Sequence, residues 1–190
     1  PLARWQAEAV SSRLKSKGVA TDFLLVSTEG DKDRARQIQD MAGEGVFVKE
    51  VQIAVLEGRA DIAVHSAKDL RSRPTDGLNL VGFLERGDPR DALIGKSLEE
   101  IPEGGVVATG SARRRVQLID LRPDLHFVGL RGNIKTRIEI AQGADVDAVV
   151  VAKAALDRLG MSELADYVFE SDQMIPQVGQ GAIAIECRED

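Results

Sequence analysis

Ala60-Asp61-Ile62-Ala63-Val64-His65-Ser66-Ala67-Lys68-Asp69-Leu70 is an apolar run that turns polar within a few residues. Ile62-Ala63-Val64 reads as a buried strand. His65, Ser66, Lys68 and Asp69 crowd the end of that strand. In a parallel α/β sheet, ligands sit outside the carboxyl ends of the strands. A carboxylate beside a fixed cation at that place can hold an N–H donor or a developing positive charge on Asp69. A Lys-Asp pair alone is more often a solvated turn after a strand, so the rest of the chain has to decide.

Upstream, Leu2, Trp5, Ala9, Val10 and Leu14 recur near helical spacing, which predicts a helix over Leu2–Lys17 stopped by Gly18. Asp22–Ser27 reads as a strand through Phe23-Leu24-Leu25-Val26. Thr28–Gly45 is polar and Gly-bounded, with a loop or a short helix over Lys32–Met41 equally open. It lacks an apolar face and is expected to be poorly ordered without ligand, as a lid would be. Val46–Leu56 reads as a helix ended by Gly58. With the strand at Ile62 this completes a strand–helix–strand unit, which implies parallel pairing.

Downstream, Leu78–Leu84 reads as a strand, and the charged run Glu85–Asp91 as a hinge or a plain surface loop. Strands follow at Val106–Ala108, His126–Leu130 and Ala148–Ala152, alternating with helices at Ala112–Leu121, Ile134–Gln142 and Ala154–Leu159. Ser111 is a good N-cap for the first of these, with Ala112, Val116 and Ile119 expected on its buried face. A short strand at Tyr167–Phe169, an irregular stretch and a final strand at Ala182–Cys187 close the chain. The order implies two α/β domains joined by a double hinge. Domain 1 spans 1–84 plus 182–190, domain 2 spans 91–171, and 85–90 with 172–181 form the hinge segments.

Composition narrows the function classes. Net charge is −6 and aromatics are 4%, which argues against a nucleic-acid surface built on phosphate neutralisation and base stacking. One cysteine allows no internal disulfide, and no apolar run approaches a membrane span. A reducing, cytoplasmic setting and a monomer are the expectations. Neither a P-loop, nor Gly-x-Gly-x-x-Gly, nor a His/Cys cluster with metal spacing occurs. His65 reads as a strand-end hydrogen bonder. Cys187 alternates with Ile183 and Ile185 and is expected to be a buried thiol.

Arg113, Arg114 and Arg115 open the helix that Ser111 caps, where partial positive charge already accumulates. A sequence that breaks a local rule is often serving a site. Arg131 follows the next strand, Arg137 lies one turn into the next helix, and Lys153 follows the strand after that. Cations thus end three consecutive strands, which suits a polyanionic ligand held between two lobes. Arg forks bind carboxylates as well as phosphates.

Several long motifs then fall in one order: Pro1-Leu2-Ala3-Arg4-Trp5-Gln6-Ala7, Val46-Phe47-Val48-Lys49-Glu50, Gly58 to Leu70, Glu85-Arg86-Gly87-Asp88-Pro89-Arg90-Asp91-Ala92, Ser111-Ala112-Arg113-Arg114, Leu130-Arg131-Gly132-Asn133 with Thr136-Arg137, and Val178-Gly179-Gln180-Gly181-Ala182. In these the chain resembles the porphobilinogen deaminase (hydroxymethylbilane synthase) family over essentially its whole length. The resemblance implies two α/β domains of the periplasmic-binding-protein type II kind. It implies a transferase that joins four porphobilinogen units head to tail, with loss of ammonia, into hydroxymethylbilane on a covalent dipyrromethane primer.

By the same resemblance, Asp69 is the catalytic carboxylate, with Lys68 beside it. Ser66, Ser111, Arg113, Arg114, Arg131, Gly132, Arg137, Arg158, Gln180 and Gly181 bind substrate and primer. The expected partners are porphobilinogen and linear oligopyrroles. The family's Gly-Thr-Arg-x-Ser segment is missing before Pro1. Glu44 stands where Lys is usual, Gly110 where Ser is common and Arg71 where Pro is. The resemblance implies a primer anchored on a cysteine of a third, C-terminal domain, which is expected to lie outside these 190 residues. Cys187 is therefore not expected to carry it, and the fragment alone is expected to be inactive. The alternative is a non-catalytic two-lobed module for a small polycarboxylate.

Overall fold

Ala148–Ala152 is buried at every residue, the signature of a strand covered on both faces. It is the central strand of the five-stranded sheet in one of two units of the computed structural model, which describes residues 1–26 and 48–189. One unit comprises Pro1–Arg86 with Ala182–Asp190, and the other Gly87–Gly181.

In the first unit, helix α1 (Leu2–Lys15) packs on strand β1 (Ile62–Ser66), and α2 (Lys49–Leu56) packs on the same strand. β1 alternates strictly, sending Ala63 and His65 inward. β2 (Leu78–Phe83) and the final strand, β8 (Ile183–Arg188), complete a sheet of order β1-β8-β2. β8 runs antiparallel to both neighbours. Val55, Ala63 and Leu78 form the apolar core. A buried polar chain supplements it. Thr75 donates to Gln52 Oε1 at 3.0 Å, and Gln52 Nε2 donates to Glu186 Oε2 at 2.8 Å. His65 Nε2 lies 3.0 Å from the same oxygen. Burial pushes the Glu186 carboxyl up, but His65 and Gln52 outweigh it and hold the group below the usual glutamate range.

Three expectations change here. The described part of the Asp22–Ser27 stretch forms no strand, and Leu25 is 86% exposed. Apolar side chains favour a pleated surface, but a strand exists only where a ladder partner covers it. The sheet pairs antiparallel rather than through a parallel strand–helix–strand unit. The helix expected over Val46–Leu56 begins at Lys49, after an N-cap at Val48. The lid expected over 28–45 lies outside the described residues, as do Val46 and Phe47.

The second unit carries a sheet of order β5-β4-β6-β3-β7: β3 (Asp91–Ile94), β4 (Val106–Ala108), β5 (His126–Val128), β6 (Ala148–Ala152) and β7 (Tyr167–Val168). β4 is parallel to β5 and β6, while β3 is antiparallel to β6 and β7. Alternating side chains of β3 and β6 feed two cores. Ala92, Ile94, Val149 and Val151 meet Ile134 and Ile138 of helix α4 (Ile134–Ala141). Leu93 and Val150 meet Leu118 of α3 (Ala112–Leu121), together with Phe169 and Met174. The helices leaving β4 and β5 thus cover opposite faces. A shorter helix, α5 (Lys153–Arg158), follows β6.

Two readings of this unit are corrected. β3 was not anticipated, because its first residue is an aspartate at the end of a charged run. The buried face of α3 carries Arg114 and Leu118, while Ala112 is exposed, Val116 is 66% exposed and Ile119 41%. A buried ion pair at Arg114 sets the rotation of this helix, and apolar spacing alone could not foresee it.

Candidate functional site

β1 ends at Ser66, which leads into a 3-10 turn over Ala67–Asp69. Ala67 N–H donates to the carbonyl of Ala182 at 3.0 Å and so ties the turn to the approach of β8. Period-two alternation sends His65 into the polar core, so it takes no part in the turn's surface. Ser66 Oγ accepts from Gln6 Nε2 of α1 at 2.8 Å. Lys68 is half-buried and Asp69 exposed. The first unit thus presents a carboxylate, an ammonium and a hydroxyl on one short turn.

The second unit gathers its cations at the carboxyl ends of three adjacent parallel strands, β5, β4 and β6. Ligand sites of open α/β sheets lie at such edges. After β4, the Ser111 hydroxyl caps α3 by accepting from Arg114 N–H at 3.5 Å. After β5, Asn133 Oδ1 caps α4 by accepting from Lys135 and Thr136 N–H. Arg137 Nε donates to the Gly132 carbonyl at 3.0 Å, and Gly132 sits at φ +90°, where a Cβ would stand 2.8 Å from Thr136 Cβ. Arg131 is half-buried and makes no ion pair or hydrogen bond among the described residues. After β6, Lys153 is engaged by Asp157 of its own helix.

Asp91, at the start of β3, organises the rest. It is fully buried. Its Oδ1 accepts from Arg114 Nε at 3.0 Å, Arg114 Nη2 at 2.6 Å and Gln180 Nε2 at 2.9 Å. Its Oδ2 accepts from Arg113 Nη2 at 2.6 Å. Burial pushes the carboxyl up, but the Arg114 charge and the bonds from Arg114, Arg113 and Gln180 prevail and hold it below the usual aspartate range. Arg114 also donates to the Val150 carbonyl at 3.0 Å, and burial draws its pKa below the ordinary guanidinium value against the pull of Asp91.

Arg114 and Gln180, both expected to line a ligand, are therefore buried partners of Asp91 in this structure. Arg113 differs. Its side chain is 25% exposed, and it donates from Nη1 to the Ile175 carbonyl at 2.5 Å. Arg115 lies over the Phe127 ring, its guanidinium carbon 5.7 Å from the centroid. No motif in the sequence marked Asp91 as the common partner of these residues.

Gly181 closes the unit. Its carbonyl accepts from Gly87 N–H at 2.9 Å and from Arg158 Nη2 at 2.6 Å. Burial holds the Arg158 pKa below its usual value, against the pull of Asp157. Gly181 has φ +83°, and a Cβ would stand 2.4 Å from the Gly87 carbonyl oxygen. Gly181→Ala is expected to lower stability by about 1–3 kcal/mol through strain and a displaced backbone. The urea midpoint measures this, and an unchanged midpoint would show that the segment relaxes freely.

The family sequence model described as porphobilinogen deaminase, dipyromethane cofactor binding domain, matches residues 1–190. The chain belongs to the porphobilinogen deaminase family. Its fold is that of the periplasmic-binding-protein type II structures. The methionine binding protein MetQ is similar at 17% identity and TM-score 0.57, over 100% of this chain and 80% of that one. A putative methionine-binding lipoprotein from Bacillus subtilis is similar at 15% identity and TM-score 0.55, with the same coverage. Within the second unit, Arg131 makes no side-chain bond among the described residues and Arg113 retains N–H groups, a donor set whose chemistry suits the carboxylates of a dipyrromethane. Cys187 sits within β8, between Ile62 of β1 and Asn79 of β2, and donates to the Arg188 carbonyl at 3.2 Å. It is half-buried rather than buried, because the inward face of β8 here carries Ala184 and Glu186.

Proposed function

We propose that this chain is the part of a hydroxymethylbilane synthase that binds the primer and performs the condensation. Four porphobilinogen units are joined head to tail, each with loss of ammonia, into the linear tetrapyrrole. The observation that carries the reading is the exposed Asp69, beside Lys68 on the turn after β1, in a chain matched to the family from end to end.

When the C–N bond of porphobilinogen's protonated aminomethyl group breaks, its electron pair leaves with nitrogen as ammonia and positive charge spreads over the pyrrole; the methylene then bonds to the α-carbon of the pyrrole at the chain end, which releases its proton. Asp69 accepts a hydrogen bond from the pyrrole N–H and stabilises that charge. Fixed groups aimed at developing charge are worth about 100- to 1000-fold in rate. Lys68 and Ser66 orient the substrate's carboxylates. Arg113, Arg131 and Arg137 hold the acetate and propionate groups, through fork geometry that matches carboxylate. Dipyrromethane, when bound, supplies the pyrrole end to which units are added, and the same arginines would hold its carboxylates.

The competing reading is a non-catalytic module for a small polycarboxylate, favoured by the likeness to a methionine binding protein. Intact-mass measurement of the full-length protein tests the proposal. A dipyrrole adduct is expected, at a residue other than Cys187. Cys187→Ser should keep both adduct and turnover. Absence of any adduct would contradict the reading, and an adduct mapped to Cys187 would overturn the assignment of attachment to another domain.

A further inference from the structure

We propose that Asp91 is a positioning residue for ligand binding: its buried carboxylate fixes the Arg113 guanidinium in one orientation, so that the remaining N–H groups of Arg113 meet a ligand carboxylate preformed. The inference rests on the proposed function for the identity of that ligand. It goes beyond it in assigning the specificity of the basic set to a residue that touches no substrate.

The geometry carries the argument. A carboxylate has about four acceptor positions. Asp91 Oδ1 takes three bonds, two from Arg114 and one from Gln180, and Oδ2 takes one from Arg113. With Oδ1 held from two sides, the carboxylate cannot rotate, and the direction of Oδ2 is set. Arg113 is then gripped at two points, by Asp91 Oδ2 on Nη2 and by the Ile175 carbonyl on Nη1. Ile175 is itself fastened to α3, because its N–H donates to Gln117 Oε1 at 2.7 Å.

The arrangement has a cost. Arg113 Nε is buried without an acceptor among the described residues. Orphaned buried donors are rare and disfavour the fold. Retaining one beside a carboxylate that holds Arg113 by Nη2 instead suggests that the orientation of Arg113 serves something other than stability. Fixing a long side chain before a ligand arrives removes the ordering cost from binding.

A purely electrostatic role for Asp91 makes the opposite prediction. Neutralising a negative group next to Arg113 would raise local positive potential and tighten binding of an anionic substrate. Positioning predicts weaker binding. In the full-length protein, Asp91→Asn should raise KM for porphobilinogen about three- to tenfold, with kcat per folded molecule nearly unchanged. In an Arg113→Ala background the same change should leave KM where Arg113→Ala puts it. If Asp91→Asn does not fold, Asp91→Leu combined with Arg114→Met removes one charge of each sign and replaces a buried pair by apolar groups, a change often tolerated. The same rise in KM is expected there.

Side-chain NMR of the Arg113 Nε–H group reads positioning without turnover. The signal should report an ordered side chain in the parent protein and an averaged one in either variant. A lowered KM, additive effects in the double variant, or an Arg113 that stays ordered without Asp91 would each overturn the proposal. A parent protein that releases no ammonia from porphobilinogen would defeat the proposed function alone, and the NMR comparison would still decide the role of Asp91.

Discussion

Asp69→Asn in the full-length protein is expected to fold normally and to lose about 100- to 1000-fold in turnover. The argument starts from exposure. Asp69 lies on the surface of a 3-10 turn, and the turn's backbone is held by bonds that do not involve the carboxylate's charge. An amide of the same size should leave that turn intact. It still accepts a hydrogen bond, so substrate binding should change less than rate. What it lacks is the charge that stabilises a cation as ammonia departs. The decisive comparison is kcat against KM, since an interaction made only in the transition state lowers kcat and leaves KM largely alone. A variant within threefold of the parent would remove Asp69 from the chemistry.

Arg114→Ala should be the most destabilising single change in the second unit, by about 3–5 kcal/mol. The substitution deletes two of the three nitrogens that bond Asp91 Oδ1 and leaves the Val150 carbonyl without the N–H it accepts. Asp91 would then be a buried carboxylate held only by Arg113 and Gln180. The pH dependence follows with a definite sign. In the parent, the folded pKa of Asp91 lies below its ordinary value. The stability it contributes is therefore present above the ordinary aspartate pKa and is lost as pH falls through the folded value. In the variant the main opposition to burial is gone, so the carboxyl protonates more readily. The gap between parent and variant should be widest near neutral pH and shrink in acid. Urea midpoints across that range measure it. Equal midpoints at neutral pH would show that the pair contributes nothing.

Legibility in the sequence followed the kind of force at work. β6 could be read residue for residue, because an all-apolar run buried on both faces has few other homes. The Ser111 cap was legible for a similar reason, since a hydroxyl before an N-terminal turn has one favoured use. β3 was hidden because Asp91 sits at the end of a charged stretch, and only its partners on α3 and in the segment before β8 make it a core residue. The same ion pair rotated α3 away from the face its apolar residues suggested. Gln52 and Glu186 were missed because buried polar chains leave no periodic trace. Residues 22–26 misled in the other direction, since their apolar run predicts burial but supplies no ladder partner.

The same reasoning separates the candidate site into two kinds of residue. Asp69, Lys68 and Arg131 are candidates that a motif can announce. Arg113 and Arg114 are adjacent in sequence and alike in type, yet one is a quarter exposed and the other nearly buried. A helix turns each successive residue by about 100°, so neighbours rarely share a role.

The central claim is that this chain takes part in condensing porphobilinogen rather than in holding a polycarboxylate. Its most direct test is the ratio of ammonia released to linear tetrapyrrole formed when the purified full-length protein is given porphobilinogen. The account predicts four molecules of ammonia for each tetrapyrrole, sustained over many turnovers and slowed about 100- to 1000-fold by Asp69→Asn. Saturable binding of porphobilinogen with no ammonia released would contradict it.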